Sequence, residues 1–382
     1  MNCQINFHRN LDVQRSQKPS QMLKELDIFG FKSIPELRLE LKPINVLIGA
    51  NGAGKSNFID IFRLLASLKN NSLQFYVGKS GGANSLLHYG TEVTPQMAAR
   101  FCLDIDQVLC SYGLKLVEAP IDTLIFLEES FESLEKNENL GTGHKESLFF
   151  NAQPLGTHLK QKVQDEIKQY HVFQFHNTSE TAKMRGNCEL HNNRSLLNDG
   201  GNLAAVLYKL QQTQFPYYER IVDVIRQIAP FFSHFILEPL ALNPNYIQLH
   251  WRSCYSKYDF GPHQLSDGTL RTMALITTLL QPESDLPSLI VLDEPELGLH
   301  PYAITVLASL IRSASVHTQI ILATQSSTFI DHFNTDEVIV VEQKQGVSSF
   351  NRLVPEELTE WLEEYTLSEL WEKNVIGGRP GR

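Results

Sequence analysis

The chain has 382 residues, 42% hydrophobic and 20% charged, an ordinary composition for a globular protein of one large domain or two. Its 33 basic and 43 acidic residues leave a net charge of −10, which argues against a protein held on nucleic acid by charge alone, though not against a local basic stripe. No run approaches the roughly 18 apolar residues of a membrane-spanning helix, so no membrane partner is expected. Five cysteines at 3, 102, 110, 188 and 254, without a CxxC pair, point to reduced thiols in a cytoplasm rather than a disulfide framework.

In chain order, residues 1–22 are polar and slightly basic with no hydrophobic core, and are expected to be a disordered tail, not a secretory signal. Residues 23–43 alternate apolar and polar and read as one or two strands. Ile44, Val46, Leu47 and Ile48 form a short β-branched run that reads as a buried parallel strand. A helix is expected beyond residue 56, where Phe58, Ile61, Phe62 and Leu65 recur at helical spacing. Residues 70–95 read as loops, and 98–128 and 146–175 as strand-like, including "TLIFLEE" and "HVFQFH". Residues 202–232 have helical spacing broken at Pro216. From 262 onward strands and helices alternate: a helix opened by Ser266, a strand at 289–292, a helix near 302–314, and strands at 319–323 and 337–342. That alternation predicts an α/β fold with a parallel sheet. The expected organisation is a first lobe over 23–260 with a β-rich compact insertion, a second over 261–345, and a C-terminal extension over 346–382 packing on the head.

The local chemistry is most specific at 49–56, "GANGAGKS", which has the P-loop spacing G-x-x-x-x-G-K-S. Gly49, Gly52 and Gly54 allow tight turns and keep side chains away from the backbone N–H groups that cradle phosphates. Lys55 can reach the terminal phosphates, Ser56 can coordinate Mg²⁺, and Asn51 and Asn57 complete the expected nucleotide set. The strand at 289–292 ends in Asp293 and Glu294, the second half expected of a P-loop ATPase. Asp293 would serve the metal and Glu294 would orient the attacking water. ATP and Mg²⁺ are therefore the expected ligands, and ATP hydrolysis the expected activity.

Shortly before that strand stands "QLSDG", residues 264–268. With the P-loop and Asp293-Glu294 it resembles the ABC-type ATPases, whose signature is LSxG. The resemblance implies that Ser266 and Gly268 bind the γ-phosphate held by another subunit's P-loop, so that two chains meet head to tail as a homodimer on ATP. It further implies that "PELGLHP" (295–301) lines the dimer interface as the D-loop. Gln325, in "ILATQSS", stands where many ABC proteins carry a γ-phosphate-sensing His. Gln can donate a hydrogen bond but cannot become cationic. "LDIFGFKSIPELRLELKPINVLIGANGAGKSN", "LSDGTLR", "DEPELGLHPYAI", "ATQS" and "LWEKNVIGGRPG" together resemble the stand-alone bacterial RecF/SMC-like ATPases (AAA_21-like) over residues 23–382. The chain beyond 342 is too short for the Toprim nuclease domain of OLD proteins, so no built-in nuclease is expected. A compact, mixed stretch between Ser56 and Leu265 also fits poorly with a transporter subunit or a long-armed SMC protein.

Three sets of residues stay open. Gln174, His176 and Asn177 are alternative candidates for the Q-loop contact to nucleotide or Mg²⁺. His171, His176, Cys188 and His191 have poor spacing for zinc. Lys160, Lys162, Lys168, Lys183, Arg185 and Arg194 form a basic cluster in sequence, a candidate for duplex DNA but more simply a charge-mixed solvated face. The output expected from the resemblance is DNA repair or genome maintenance; the alternative is gating of a separate effector protein, a nuclease or toxin.

Overall fold

The computed structural model describes residues 21–134, 136–151 and 158–379. The expected disordered tail falls on residues outside these, except that Gln21 and Met22 already belong to the first strand, Gln21–Phe31. Two six-stranded sheets organise the chain. The first is antiparallel, in the order Ile34–Glu40, Gln21–Phe31, Gln96–Ile105, Val108–Ala119, Thr123–Ser133 and Asn137–Gly141. Its strands read as half-buried. In Gln96–Ile105 every second residue is buried, so Met97, Ala99, Phe101, Leu103 and Ile105 share the core face. The strand-rich segment after the P-loop is thus no separate body: it completes the sheet that the N-terminal hairpin begins, with Leu26 opposite Phe101 and Ile28 opposite Ala99.

The second sheet runs Val347–Arg352, Val338–Lys344, Ile44–Ile48, Gln319–Thr324, Leu289–Asp293 and Tyr170–Phe173. All its pairings are parallel except that of the edge strand Val347–Arg352. Both faces are covered, which is why its strands are continuous apolar runs. Leu47, Leu289, Val291, Ile321, Ala323, Ile339 and Val341 face the antiparallel sheet and the helix Lys55–Lys69 packed between the two sheets. The alternate residues Val46, Ile48, Ile290, Leu292, Ile320, Leu322, Val338 and Val340 face the helices Leu203–Thr213, Phe215–Ile228, Asp267–Leu279 and Pro301–Ala314. Phe58 and Phe62 are buried on the Lys55–Lys69 helix, with the Phe62 ring 6.4 Å from that of Phe101. Burial of each such ring is worth about 1.5–3 kcal/mol.

Two expectations are corrected. Among the described residues of 146–175, Tyr170–Phe173 is the one strand; Leu148–Asn151 and His158–Lys168 are helices. Val163 and Ile167, four residues apart, are the buried pair that sets the helical period there. Within 70–95, short helices occupy Leu73–Lys79 and Ala83–Leu86, the first buried through Leu73 and Val77. Pro216 lies in the first turn of the helix Phe215–Ile228, where its missing N–H costs nothing. Among the described residues no helix is long and apolar enough to cross a membrane.

Candidate functional site

The loop at 49–54 leaves the strand Ile44–Ile48 at its carboxyl end and enters the helix Lys55–Lys69. Gly54 has φ +112°, and a Cβ there would collide with the Ser348 hydroxyl; a Cβ on Gly49 would strike the Val341 carbonyl. These two glycines are required by close approach of the neighbouring strands. No side chain caps the first turn of the Lys55–Lys69 helix, and that turn carries no acidic residue. Its N–H groups and positive dipole end are left for an anion. Asn51, Gly52 and Ser56 are exposed around this opening, while Lys55 is buried. The Lys55 amine donates to the carbonyls of Gly49 (2.6 Å) and Ala50 (3.0 Å). Burial lowers its pKa, against the raising influence of Glu294, Asp293 and Glu296. Asn57, expected among the nucleotide ligands, donates from its amide to Ser33 Oγ at 2.7 Å.

Because Gln319–Thr324 lies between Ile44–Ile48 and Leu289–Asp293, the carboxyl ends of all three strands reach one edge of the sheet. Asp293, Glu294 and Gln325 are brought together there. Gln325 Nε2 donates to Glu294 Oε1. Glu294 has φ +42°, in the left-handed region, and its N–H donates to the Ala323 carbonyl at 2.8 Å. A non-glycine residue held there costs of order 1–3 kcal/mol and persists only where its surroundings enforce it. Burial raises the pKa of Asp293, opposed by Arg63 and His176.

Three participants were not singled out from sequence. Arg63, two turns along the P-loop helix, brings Nη2 to 3.5 Å from Asp293 Oδ2 and also pairs with Asp60. Glu296 is buried, accepts from the Thr324 hydroxyl and, at 3.4 Å, from the Gln325 N–H, and burial raises its pKa. Arg271, on the signature helix, donates from Nε to the Phe175 carbonyl (3.2 Å), from Nη2 to the His176 carbonyl (3.4 Å), and from Nη1 to the Leu297 carbonyl. "DEPE" and "LSDGTLR" display two of these residues, but only their contacts distinguish them from surface charges.

Ser266 is exposed at the N-terminus of the helix Asp267–Leu279, and its Oγ accepts from the Thr269 N–H at 3.2 Å. A Cβ on Gly268 would lie 2.7 Å from the Gly298 carbonyl oxygen, so this helix start packs on the 295–301 segment of its own chain. Arg185 is buried beneath it, donating to the carbonyls of Thr178 (2.8 Å), Pro262 and Leu265 (3.2 Å) and to Asp267 Oδ1 (2.8 Å). Of the Q-loop candidates, His176 lines a narrow cleft with Asp293 and Glu294. Gln174 lines a larger cleft of about 660 Å³ with Asp60 and Arg63. The Asn177 side chain accepts from Ser179 in a local turn.

The basic cluster does not form a free cationic surface. Lys160 pairs with Glu138, Lys162 with Asp106, Lys168 with Asp165 and Lys183 with Asp199; Arg185 is buried on Asp267, and Arg194 is exposed with no ion pair among the described residues. His171, His176, Cys188 and His191 do not converge either. His171 Nδ1 lies 3.3 Å from Asn198 Oδ1, Cys188 Sγ donates to the Ile247 carbonyl, and His191 is exposed.

The uncapped helix end, the glycine-lined opening and the hydroxyl and carboxylate donors of Ser56 and Asp293 fit a nucleoside triphosphate with a hard divalent cation. Comparison with known proteins agrees with this geometry. A family model described as "AAA domain, putative AbiEii toxin, Type IV TA system" (AAA_21) matches residues 44–103 and 116–331. No curated protein matches. Among solved structures, the SmcHead bound to the C-winged helix domain of ScpA superposes with a TM-score of 0.59 at 16% identity, over 88% of this chain and 99% of that one. The Smc head domain of Pyrococcus furiosus, bound to the C-terminal domain of ScpA, gives 0.57 at 15% identity over 90% and 99%. That of Pyrococcus yayanosii gives 0.52 at 12% over 90% and 99%. At such identities the likeness is one of fold. The family match covers most of the chain, and with it the sequence belongs to the AAA_21 family of ATPase domains, built on the fold of an SMC-type head.

Proposed function

We propose that this chain binds and hydrolyses ATP with Mg²⁺ at the interface of a head-to-tail homodimer, and that the nucleotide state gates a partner protein. The carrying observation is the meeting of Glu294 and Gln325 at the sheet edge beside the uncapped P-loop helix. Lys55, turned from its loop carbonyls toward the phosphates, neutralises charge there, and the loop amides hold the phosphate oxygens. Ser56 and Asp293 would hold Mg²⁺, which when bound supplies charge neutralisation of the phosphates. Glu294 positions and deprotonates the attacking water, and Gln325 fixes the orientation of the Glu294 carboxylate. Ser266 and Gly268 have Thr269 and Gly298 of their own chain as neighbours and leave an exposed helix N-terminus, which supports their use by a second copy's γ-phosphate.

For the output, two observations favour a protein partner over DNA. Five of the six basic residues, Lys160, Lys162, Lys168, Lys183 and Arg185, sit in ion pairs within the chain, and the net charge is −10. The test is ATP turnover with Mg²⁺ or EDTA, with and without linear and gapped duplex DNA, using Lys55→Ala as blank. Mg²⁺-dependent turnover indifferent to DNA is the expected result. Salt-sensitive stimulation by DNA would transfer the output to genome maintenance, and absence of turnover above the blank would remove the enzymatic reading.

A further inference from the structure

The C-terminal segment, 367–379, reaches the nucleotide site from two directions. Its helix Leu367–Glu372 docks on the short helix Ser327–Ile330, which begins two residues after Gln325. Ser368 donates from N–H to Asp331 Oδ1 at 2.8 Å and from Oγ to Asp331 Oδ2 at 2.6 Å, and Ser327 Oγ donates to Glu372 Oε1 at 2.9 Å. Leu367 and Leu370 are buried beneath that contact. The chain then turns through Asn374, Gly377 and Gly378, all at positive φ, and ends its described course against the P-loop. The Gly378 N–H donates to Glu342 Oε1 at 2.9 Å, and its carbonyl accepts from the Ala50 N–H at 2.9 Å. A Cβ on Gly378 would lie 2.8 Å from Val340 Cγ1 and 3.7 Å from the Cα of Gly49. Position 378 has φ +81°, so glycine is required there by conformation as well as by space.

We infer that 367–379 is a strap that positions both halves of the nucleotide site, Gly378 acting on the P-loop and Ser368 on the segment that carries Gln325. This rests on the reading of 49–56 as a nucleotide cradle. Ala50 stands on the ascending limb of the loop, before the amides that face the phosphates, so fixing its N–H fixes the direction in which those amides point. The bond at Gly378 is made to backbone and touches no position assigned to ligand; it lowers the cost of ordering the loop when nucleotide binds. At the other end, Asp331 and Ser327 hold the helix after Gln325, and Gln325 in turn holds Glu294. The two ends therefore act on different steps: one on binding, the other on turnover.

The experiment measures the ATP dissociation constant and steady-state kcat of the full chain, wild type against Gly378→Ala and Ser368→Ala, with thermal midpoints alongside. Gly378→Ala is expected to weaken ATP binding roughly tenfold while kcat at saturating ATP stays within about twofold. Ser368→Ala is expected to lower kcat about threefold with the dissociation constant nearly unchanged. A purely structural role would move both constants together with the thermal midpoint, and that result overturns the proposal. So does a folded pair of variants with wild-type constants. If Gly378→Ala does not fold, Ser368→Ala decides alone, since it introduces no backbone strain. Binding by wild type with unaltered variants removes the strap only; no binding by wild type removes the cradle and the strap with it.

Discussion

At position 294 a carboxylate is held by an unfavourable backbone angle on one side and by the Gln325 amide on the other. Replacing Gln325 with Ala leaves the carboxylate free to rotate without touching the phosphate cradle. Turnover is therefore expected to fall about tenfold with ATP affinity within about twofold of wild type, read from steady-state kinetics and direct binding. Lys55 is a different case, because its amine is the charge that the cradle offers. Lys55→Ala is expected to weaken ATP binding by about 2–3 kcal/mol, measured by titration calorimetry. The glycine and lysine spacing of 49–56 was legible in the sequence because loop, ligand amides and lysine are contiguous. The contact of Asn57 was not, because its amide donates to Ser33 Oγ and Ser33 comes from the turn between the first two strands.

The element that presents the signature is anchored from below by Arg185, whose guanidinium serves three backbone carbonyls and Asp267. Arg185→Ala leaves those buried acceptors without donors, at a cost of about 3 kcal/mol, visible as a lower urea midpoint with unchanged slope. The strand Tyr170–Phe173 supplies a pH test. Burial, then the nearby Lys69 charge, hold His171 down to about 4 from 6.5, the Asn198 bond opposing them. The folded state thus binds fewer protons than the unfolded one between those values. Stability is complete above about 6.5 and declines as pH falls toward about 4. In His171→Phe, which keeps a ring against Phe173, that part of the acid loss should disappear from denaturation curves taken across the window. This strand is legible in the sequence, but the helix before it is not, because "HLKQKVQDEIK" carries a single apolar buried pair, Val163 and Ile167, to mark its helical period.

Across the whole molecule, the central question is whether two copies complete each other. Lys55→Ala has an intact signature and a damaged cradle; Ser266→Arg has the reverse. Each alone is expected to be inactive. Mixed in equal amounts, they form heterodimers with one intact composite site, recovering about a quarter of wild-type turnover if the sites act independently. Silence of the mixture, with both proteins folded, would contradict head-to-tail assembly. Glu294→Gln, which slows hydrolysis and keeps ATP bound, is expected to shift from monomer to dimer on ATP and Mg²⁺ in light scattering.

What the sequence determined by itself were the features carried by near neighbours: the P-loop, the strand ending in Asp293 and Glu294, the signature helix with its Ser266 cap, and the alternation that makes the sheet parallel. Each depends on a period or spacing within about a dozen residues, and backbone geometry turns such spacing directly into local structure. Tertiary structure alone decided which charges are free and what steadies the site. Lys160 and Arg185 read as a basic patch until Glu138 and Asp267 arrive from other elements to neutralise them. Arg63 joins Asp293 only because the P-loop helix packs beside the strand Leu289–Asp293. Gly378 meets Ala50 from the far end of the chain. A burial cost or a hydrogen-bond partner depends on what the fold brings within a few ångströms, and no local pattern encodes that.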